Sequence, residues 1–222
     1  MVFACNLSNF GSLTVDEYVI FQDSSVYEIG GKKLDYKIFF EAKRSSMEWQ
    51  YPTLYEIGIQ DVWDWLIKRK DFLYGFSQTA VTRALINLGE ISFSDPNMKL
   101  FRAVMGIEGL YTKGKSNLLE QVREKTQILL GKQEQYKKLY SNMYDFRSKF
   151  IHGELNFPAT VNIDFSKNVE SHSEDLKKAT YFAILLLGAS IQQLIIRDWH
   201  GIQFEYVVSD TGDSSKKEVG SD

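Results

Sequence analysis

The chain has only one cysteine among its 222 residues, Cys5, and this shortage excludes an intrachain disulfide. It also has only three histidines, and no Cys/His cluster has the spacing of a zinc site. No glycine pattern of a P-loop or dinucleotide-binding fold is present. We therefore predict no metal and no cofactor, and a protein of a reducing compartment, the cytoplasm.

Targeting and membrane segments are also lacking. The first 13 residues have neither the basic region nor the long apolar run of a signal peptide. The one long apolar stretch, residues 179–196, is interrupted by polar side chains and flanked by charged segments. A core helix explains this stretch better than a membrane span, and we predict no membrane partner.

What the chain does contain is enough apolar sequence for a packed core, with 44% hydrophobic, 14% aromatic and 25% charged residues. Residues 1–57 are predicted to be a small β-rich segment. Three features favour strands in this segment: β-branched and aromatic runs at 13–15 and 18–21, a loose alternation at 34–40, and Gly30-Gly31 as a turn signal.

Helical periodicity begins near residue 58, and we predict a mainly α domain over residues 58–206 followed by a disordered polar tail, 207–222. Asp95-Pro96 is a typical helix start, and Gly153 is placed to end a helix. Residues 154–173 are predicted to be a long loop and residues 202–208 a short strand. The predicted bundle of four to five helices covers 79–91, 95–111, 116–131, 133–152 and 174–199.

Net charge is −3, which argues against a simple polycationic nucleic-acid binder. The charge is uneven, because residues 113–152 carry nine Lys/Arg and four Asp/Glu, a balance of +5. The rest of the chain, with 17 and 25, has a balance of −8. The basic segment is either a solvated helix surface or a surface for a phosphate-bearing ligand.

Two charged residues are predicted on inward helix faces. At 100° per residue, these apolar side chains lie within about 60° of Arg147: Tyr136, Tyr140, Met143, Phe150 and Ile151. The same geometry places these within about 60° of Glu108: Phe101, Val104, Met105 and Tyr111. A buried charge needs a partner, so we predict a Glu108–Arg147 contact. Such a pair either fixes helix register or orients an arginine that holds an anion.

His152 is predicted at the end of the same helix, about 140° around the axis from Arg147. It shares a polar strip with Ser148 and Asp145, one and two turns back. A histidine at a helix C-terminus is commonly a cap, and histidine is also the usual general acid or base near neutral pH. Spacing alone leaves both roles open.

Residues 144–153, Tyr-Asp-Phe-Arg-Ser-Lys-Phe-Ile-His-Gly, resemble the YxxRSKxxHG signature of ApeA-like HEPN domains. Upstream, residues 103–110 are similar to the apolar, glutamate-bearing helix of that branch, and residues 118–131 resemble its third helix. The order and spacing of the three blocks also match. The resemblance covers roughly residues 76–200.

The resemblance implies a helical bundle that homodimerises and brings two R-x4-H motifs into one cleft. It also implies metal-independent RNA cleavage, since many relatives are toxins or anti-phage proteins that cut host RNA. Carried over by position, the catalytic residues would be Arg147 and His152 together with Glu108. The supporting residues of the motif would be Ser148, Asp145, Lys149 and Tyr144. Ser148 stands where many HEPN nucleases have Asn, Asp or His.

These residue types suit transesterification by the RNA 2′-hydroxyl, which needs a base, an acid and positive charge on the phosphorane. Two His152 side chains of a dimer would divide the acid and base roles, and two Arg147 side chains would bind phosphate oxygens. We therefore predict a cytoplasmic HEPN-type endoribonuclease of phage defence or toxin–antitoxin biology. RNA, a second copy and an antitoxin or regulatory protein would be its partners.

Two alternatives remain open from the sequence. The first is a non-catalytic HEPN module for dimerisation or ligand sensing, in which the Glu108–Arg147 pair is structural. The second is a nucleotide-binding partner of a nucleotidyltransferase. Outside the motif, Trp63 and Trp65 are expected in the core, and His172 and His200 on the surface.

Overall fold

The structure, a computed structural model, describes residues 1–14, 20–22, 25–27, 35–132, 134–155 and 167–205, with only the backbone described at 20–22, 25–27 and 167–171. Helices dominate this part of the chain, so the prediction of a mainly α protein is confirmed. The described helices are α1 (Val2–Ser8), α2 (Lys37–Trp49), α3 (Ile59–Ile67), α4 (Lys70–Tyr74), α5 (Ala80–Glu90), α6 (Pro96–Tyr111), α7 (Leu118–Leu130), α8 (Lys137–Ile151) and α9 (Lys167–Ile196). Single 3₁₀ turns precede α6 and α8, at Ile91–Phe93 and Glu134–Tyr136.

The predicted β-rich N-terminal segment is wrong for most of its length. Helices α1 and α2 occupy much of it, and the described strands are one short antiparallel pair, β1 (Ile20–Gln22) and β2 (Ser25–Tyr27). The alternation at 34–40 has a different origin, because the buried side chains of α2 follow helical spacing. They are Ile38, Phe39, Ala42 and Ser46. The Gly30-Gly31 turn signal lies outside the described residues.

The N-terminal helices and the predicted helical domain share one hydrophobic core. Leu7 of α1 and Phe39 of α2 are buried in the same cluster as Val62 of α3 and Leu186 of α9. The Ser8 hydroxyl donates to the Ile57 carbonyl at 2.6 Å, which ties the two parts together beside the predicted boundary. Residues 1–57 therefore contribute packing to the bundle.

The five helices predicted between residues 76 and 200 are confirmed as α5 to α9. Helix α9 differs most, because it begins at Lys167, inside the predicted loop 154–173, and ends at Ile196. Residues 202–205 form no strand, and the rest of the predicted strand and the polar tail lie outside the described residues.

Helix α9 is the central helix of the described bundle and packs against α2, α5, α6, α7 and α8. It is the one described helix that is long and apolar enough to cross a membrane, and 94% of its most apolar window is buried inside the protein. That burial is typical of a core helix, which agrees with the prediction for residues 179–196.

A glycine allows α6 to approach α9 closely. A Cβ atom at Gly106 would lie 2.7 Å from a methyl carbon of Leu187, which is fully buried. Gly109 is one turn further along α6, and a Cβ there would lie 3.9 Å from its nearest neighbour, an ordinary contact.

We expect Gly106→Ala to be less stable than Gly109→Ala by about 1–3 kcal/mol, the usual cost of an overpacked core. Both substitutions gain the same helix propensity, so the difference isolates the α6–α9 contact. Urea unfolding of the two variants measures it. Equal stabilities would show that α6 and α9 are not packed this closely.

Candidate functional site

Helix α8 ends at the predicted glycine. The Gly153 amide donates to the Phe150 carbonyl at 3.2 Å, and the Glu154 amide donates to the Lys149 carbonyl at 2.8 Å. These two bonds form a Schellman motif, which needs a left-handed residue at Gly153, where φ is +70°. The motif holds His152 at the C-cap of the helix, directly after Ile151, with its side chain exposed.

The predicted Glu108–Arg147 contact is confirmed. A terminal guanidinium nitrogen of Arg147 donates to the Glu108 carboxylate at 3.1 Å, between α6 and α8. The two helices run antiparallel, and the rings of Phe101 and Phe150 stack beside the pair with centroids 5.2 Å apart. The charges meet because each lies on the side of its helix that faces the other.

The pair lies at the edge of the core rather than inside it. Side-chain exposure is 16% for Glu108 and 24% for Arg147. Met105, one turn before Glu108, is 41% exposed, and Ile151, one turn after Arg147, is 46% exposed. Helical geometry predicts Met105 and Ile151 on the inward apolar faces, yet both are exposed. The prediction that the ion pair lies at the centre of buried faces is therefore only partly correct. The Arg147 side chain is therefore partly accessible to solvent.

Three polar atoms around the pair are buried and form no hydrogen bond with the described residues: Glu108 Oε1, Arg147 Nε and the Tyr144 hydroxyl. Burial raises the pKa of Tyr144 above its usual range, and the nearby Glu108 carboxylate raises it further, while Arg147 opposes the shift. Tyr144 therefore stays protonated near the Glu108 carboxylate. The sequence motif alone does not predict that Tyr144 lies near Glu108 of α6, because this proximity depends on tertiary packing.

The other supporting residues lie on the solvent side of α8. Lys149 donates to Asp145 at 2.7 Å, one turn apart, and this exposed pair stabilises the helix by only a few tenths of a kcal/mol. Ser148 is exposed, and its carbonyl accepts the His152 amide at 3.0 Å. The structure thus brings Glu108, Tyr144 and Arg147 together. Asp145, Ser148 and Lys149 lie at the surface, as does His152.

The basic segment 113–152 divides into paired and unpaired charges. Arg123, Arg147 and Lys149 pair with carboxylates, and Lys125 is buried, donating to the Tyr111 carbonyl at 2.7 Å. The remaining five lysines are exposed, with no carboxylate of the described residues within ion-pair distance. They are Lys113, Lys115, Lys132, Lys137 and Lys138. These free charges are available to a phosphate backbone, and they equally suit a solvated surface.

Of four aromatic side chains outside the motif, two agree with expectation and two do not. Trp65 is buried as predicted, whereas Trp63 is exposed on the outer side of α3. His172 is not free on the surface, because its ring packs edge-on against Phe146 of α8 and its Nε2 atom is buried. Since α9 begins earlier than predicted, His172 belongs to that helix and reaches α8. His200 is exposed as predicted.

Within the described part of the chain, no three His, Cys, Asp or Glu side chains converge as a metal site. The candidate site thus consists of one arginine–carboxylate pair, one protonated tyrosine and one exposed histidine. Comparisons of the chain with protein-family models, with curated proteins and with solved structures find no match.

Proposed function

We propose that this chain is a metal-independent endoribonuclease of HEPN type that acts as a cytoplasmic homodimer in phage defence or toxin–antitoxin biology. The observation that carries the proposal is the arrangement at the end of α8. One helix carries a partly exposed, oriented Arg147 and, at its terminus, an exposed His152. An anion-binding group and a proton-transfer group on one rigid element suit phosphodiester chemistry.

Arg147 would bind the scissile phosphate. Its guanidinium donates a single hydrogen bond to Glu108, and its side chain is 24% exposed, so a phosphate would approach the remaining terminal N–H donors. Glu108 would fix the orientation of the guanidinium through this hydrogen bond. Positive charge held there stabilises the phosphorane when negative charge develops on its oxygens.

His152 would transfer protons. One imidazole takes the proton of the 2′-hydroxyl, and the oxygen then attacks the phosphorus and displaces the 5′-oxygen, which receives a proton from a second imidazole. The products are a 2′,3′-cyclic phosphate and a 5′-hydroxyl. A single copy supplies one such histidine, so a second copy provides the other.

Exposed apolar side chains next to the pair support assembly. Met105 and Ile151 are both more than two-fifths exposed, each one turn from a member of the ion pair. Covering them with a second copy removes apolar surface from water and brings the two α8 ends together. An antitoxin or another regulatory protein would act on the same surface.

A second candidate function has its own support. Glu108 already occupies Arg147 in the free chain, which suits a non-catalytic dimerisation or ligand-sensing module whose ion pair only fixes helix register. The two candidates differ in whether His152 matters, because a module has no use for a proton-transfer group.

The proposal is tested with matched RNA and DNA oligonucleotides of the same mixed sequence, incubated with the purified protein in EDTA. Cleavage of RNA alone, leaving cyclic-phosphate ends, is the expected result, because DNA lacks the attacking 2′-hydroxyl. Cleavage of both polymers, or cleavage that requires a divalent cation, would contradict the mechanism. Binding without cleavage would favour the module.

A further inference from the structure

A second concave site lies away from the ion pair, between α2, the start of α6 and the first half of α9. The cavity holds about 450 Å³ and is lined by charged, polar and apolar side chains. That volume falls within the range of small-molecule sites, roughly 300–1,000 Å³. None of the residues placed at the candidate nuclease site lines it.

A buried lysine forms part of its wall. Lys99 is 4% exposed, and its ammonium donates to the Asp35 carboxylate, the one acceptor that the described residues supply. An ammonium has three N–H donors, so two remain for an occupant. Burying a charge with donors unused is costly, which favours an acceptor in the cavity.

Further positive groups face the same space. Lys177 lines the cavity from α9, and the described structure gives it no carboxylate partner. Asn97 lies in the first turn of α6, a 16-residue helix whose N-cap, Asp95, makes no side-chain cap. In this first turn Pro96 has no N–H and the Met98 amide donates to the Asp95 carbonyl at 2.8 Å, which leaves the Asn97 amide as the donor that can favour an anion. Thr180 and Tyr181 also line the cavity, but their hydroxyl hydrogens are already donated to the Leu176 carbonyl and the Glu41 carboxylate.

Part of the wall is apolar, although His172 and Ser173 also line the cavity. Ile38 of α2 and Leu176 of α9 line the cavity beside the charged groups. A free inorganic anion has no use for such a surface, whereas an organic anion gains from burying its apolar body there. The lining therefore combines an anion-binding end with an apolar side.

From this arrangement we propose that the cavity binds a small organic phosphate, with the phosphate on Lys99, Lys177 and the start of α6 and the organic body against Ile38 and Leu176. The residues used here differ from those of the proposed ribonuclease. The two proposals therefore succeed or fail independently.

Phenyl phosphate is a suitable probe, because it joins a phosphomonoester to an apolar ring, and titration calorimetry of the full chain measures its binding. Inorganic phosphate and phenol are the matched probes that each lack one half. We expect phenyl phosphate to bind most tightly. Lys177→Ala should weaken that binding several-fold, and Lys99→Met at least about tenfold, since both remove charge-assisted hydrogen bonds.

Lys178→Ala is the matched control, because Lys178 is the next residue of α9, is exposed and pairs with Glu174. Its binding of phenyl phosphate should equal that of the wild type. Lys177 is exposed, so its variant decides the test even if Lys99→Met does not fold. The proposal is overturned by absence of phenyl phosphate binding at millimolar concentration, by phenol binding equally well, or by Lys177→Ala and Lys178→Ala behaving alike.

Discussion

Replacing His152 by alanine is expected to lower the rate of RNA cleavage by about 10²–10⁴-fold, the usual contribution of a general acid or base. In the proposed dimer one substitution removes both the proton acceptor and the proton donor, because each copy supplies one of them. The fold should not change, since the His152 side chain is exposed and the Schellman motif uses only backbone groups. Initial rates on RNA in EDTA measure the effect.

His200→Ala is the control for this experiment, because His200 is also exposed but lies beyond the end of α9. Its cleavage rate should equal that of the wild type. A His152→Ala protein that cuts RNA at the wild-type rate would remove His152 from the mechanism and return the motif to a structural role.

The second large effect is expected at the ion pair. Glu108→Ala leaves the Arg147 charge partly buried without its partner, and Arg147→Ala does the same to Glu108. Full burial would make each loss about 3–5 kcal/mol and full exposure at most about 1. With exposures of 16% and 24%, we expect about 1–3 kcal/mol for each single variant. Urea unfolding measures these values.

The double variant separates the pair from its surroundings. Once both charges are removed, no partly buried charge is left without a partner. The free energy of unfolding lost by the double variant should therefore be smaller than the sum of the losses of the two single variants. Strict additivity would show that the two side chains do not interact in solution. Cleavage adds a separate criterion, because both proteins that lack Arg147 should be inactive whatever their stability.

Much of the fold could be predicted because α5 to α9 are long and strongly patterned. Each spans at least 11 residues, and the ends of α6 and α8 carry a proline and a glycine in the expected places. Helix α1 has seven residues, too few for a reliable period. Helix α2 was not predicted because residues 34–40, which overlap its start, alternate between apolar and polar as in a strand. The buried 3.6-residue pattern is visible only over the full 13-residue helix.

Part of the candidate site could also be predicted from the sequence. The Glu108–Arg147 contact followed from two charges on inward faces, because such charges must find partners. Its partial exposure did not follow, since the width of the covered face depends on the neighbouring helices. The contact of His172 with Phe146 was also missed. It depends on the early start of α9, for which the sequence carries no clear cap.

The measurement that tests the central claim most directly is the incubation of total cellular RNA with the purified chain in EDTA. The Arg147→Ala/His152→Ala double variant, confirmed folded, serves as the blank. The account predicts cleavage by the wild type alone, with 2′,3′-cyclic phosphate ends. RNA that stays intact with stoichiometric wild-type protein, or that is cut equally by the double variant, would contradict it.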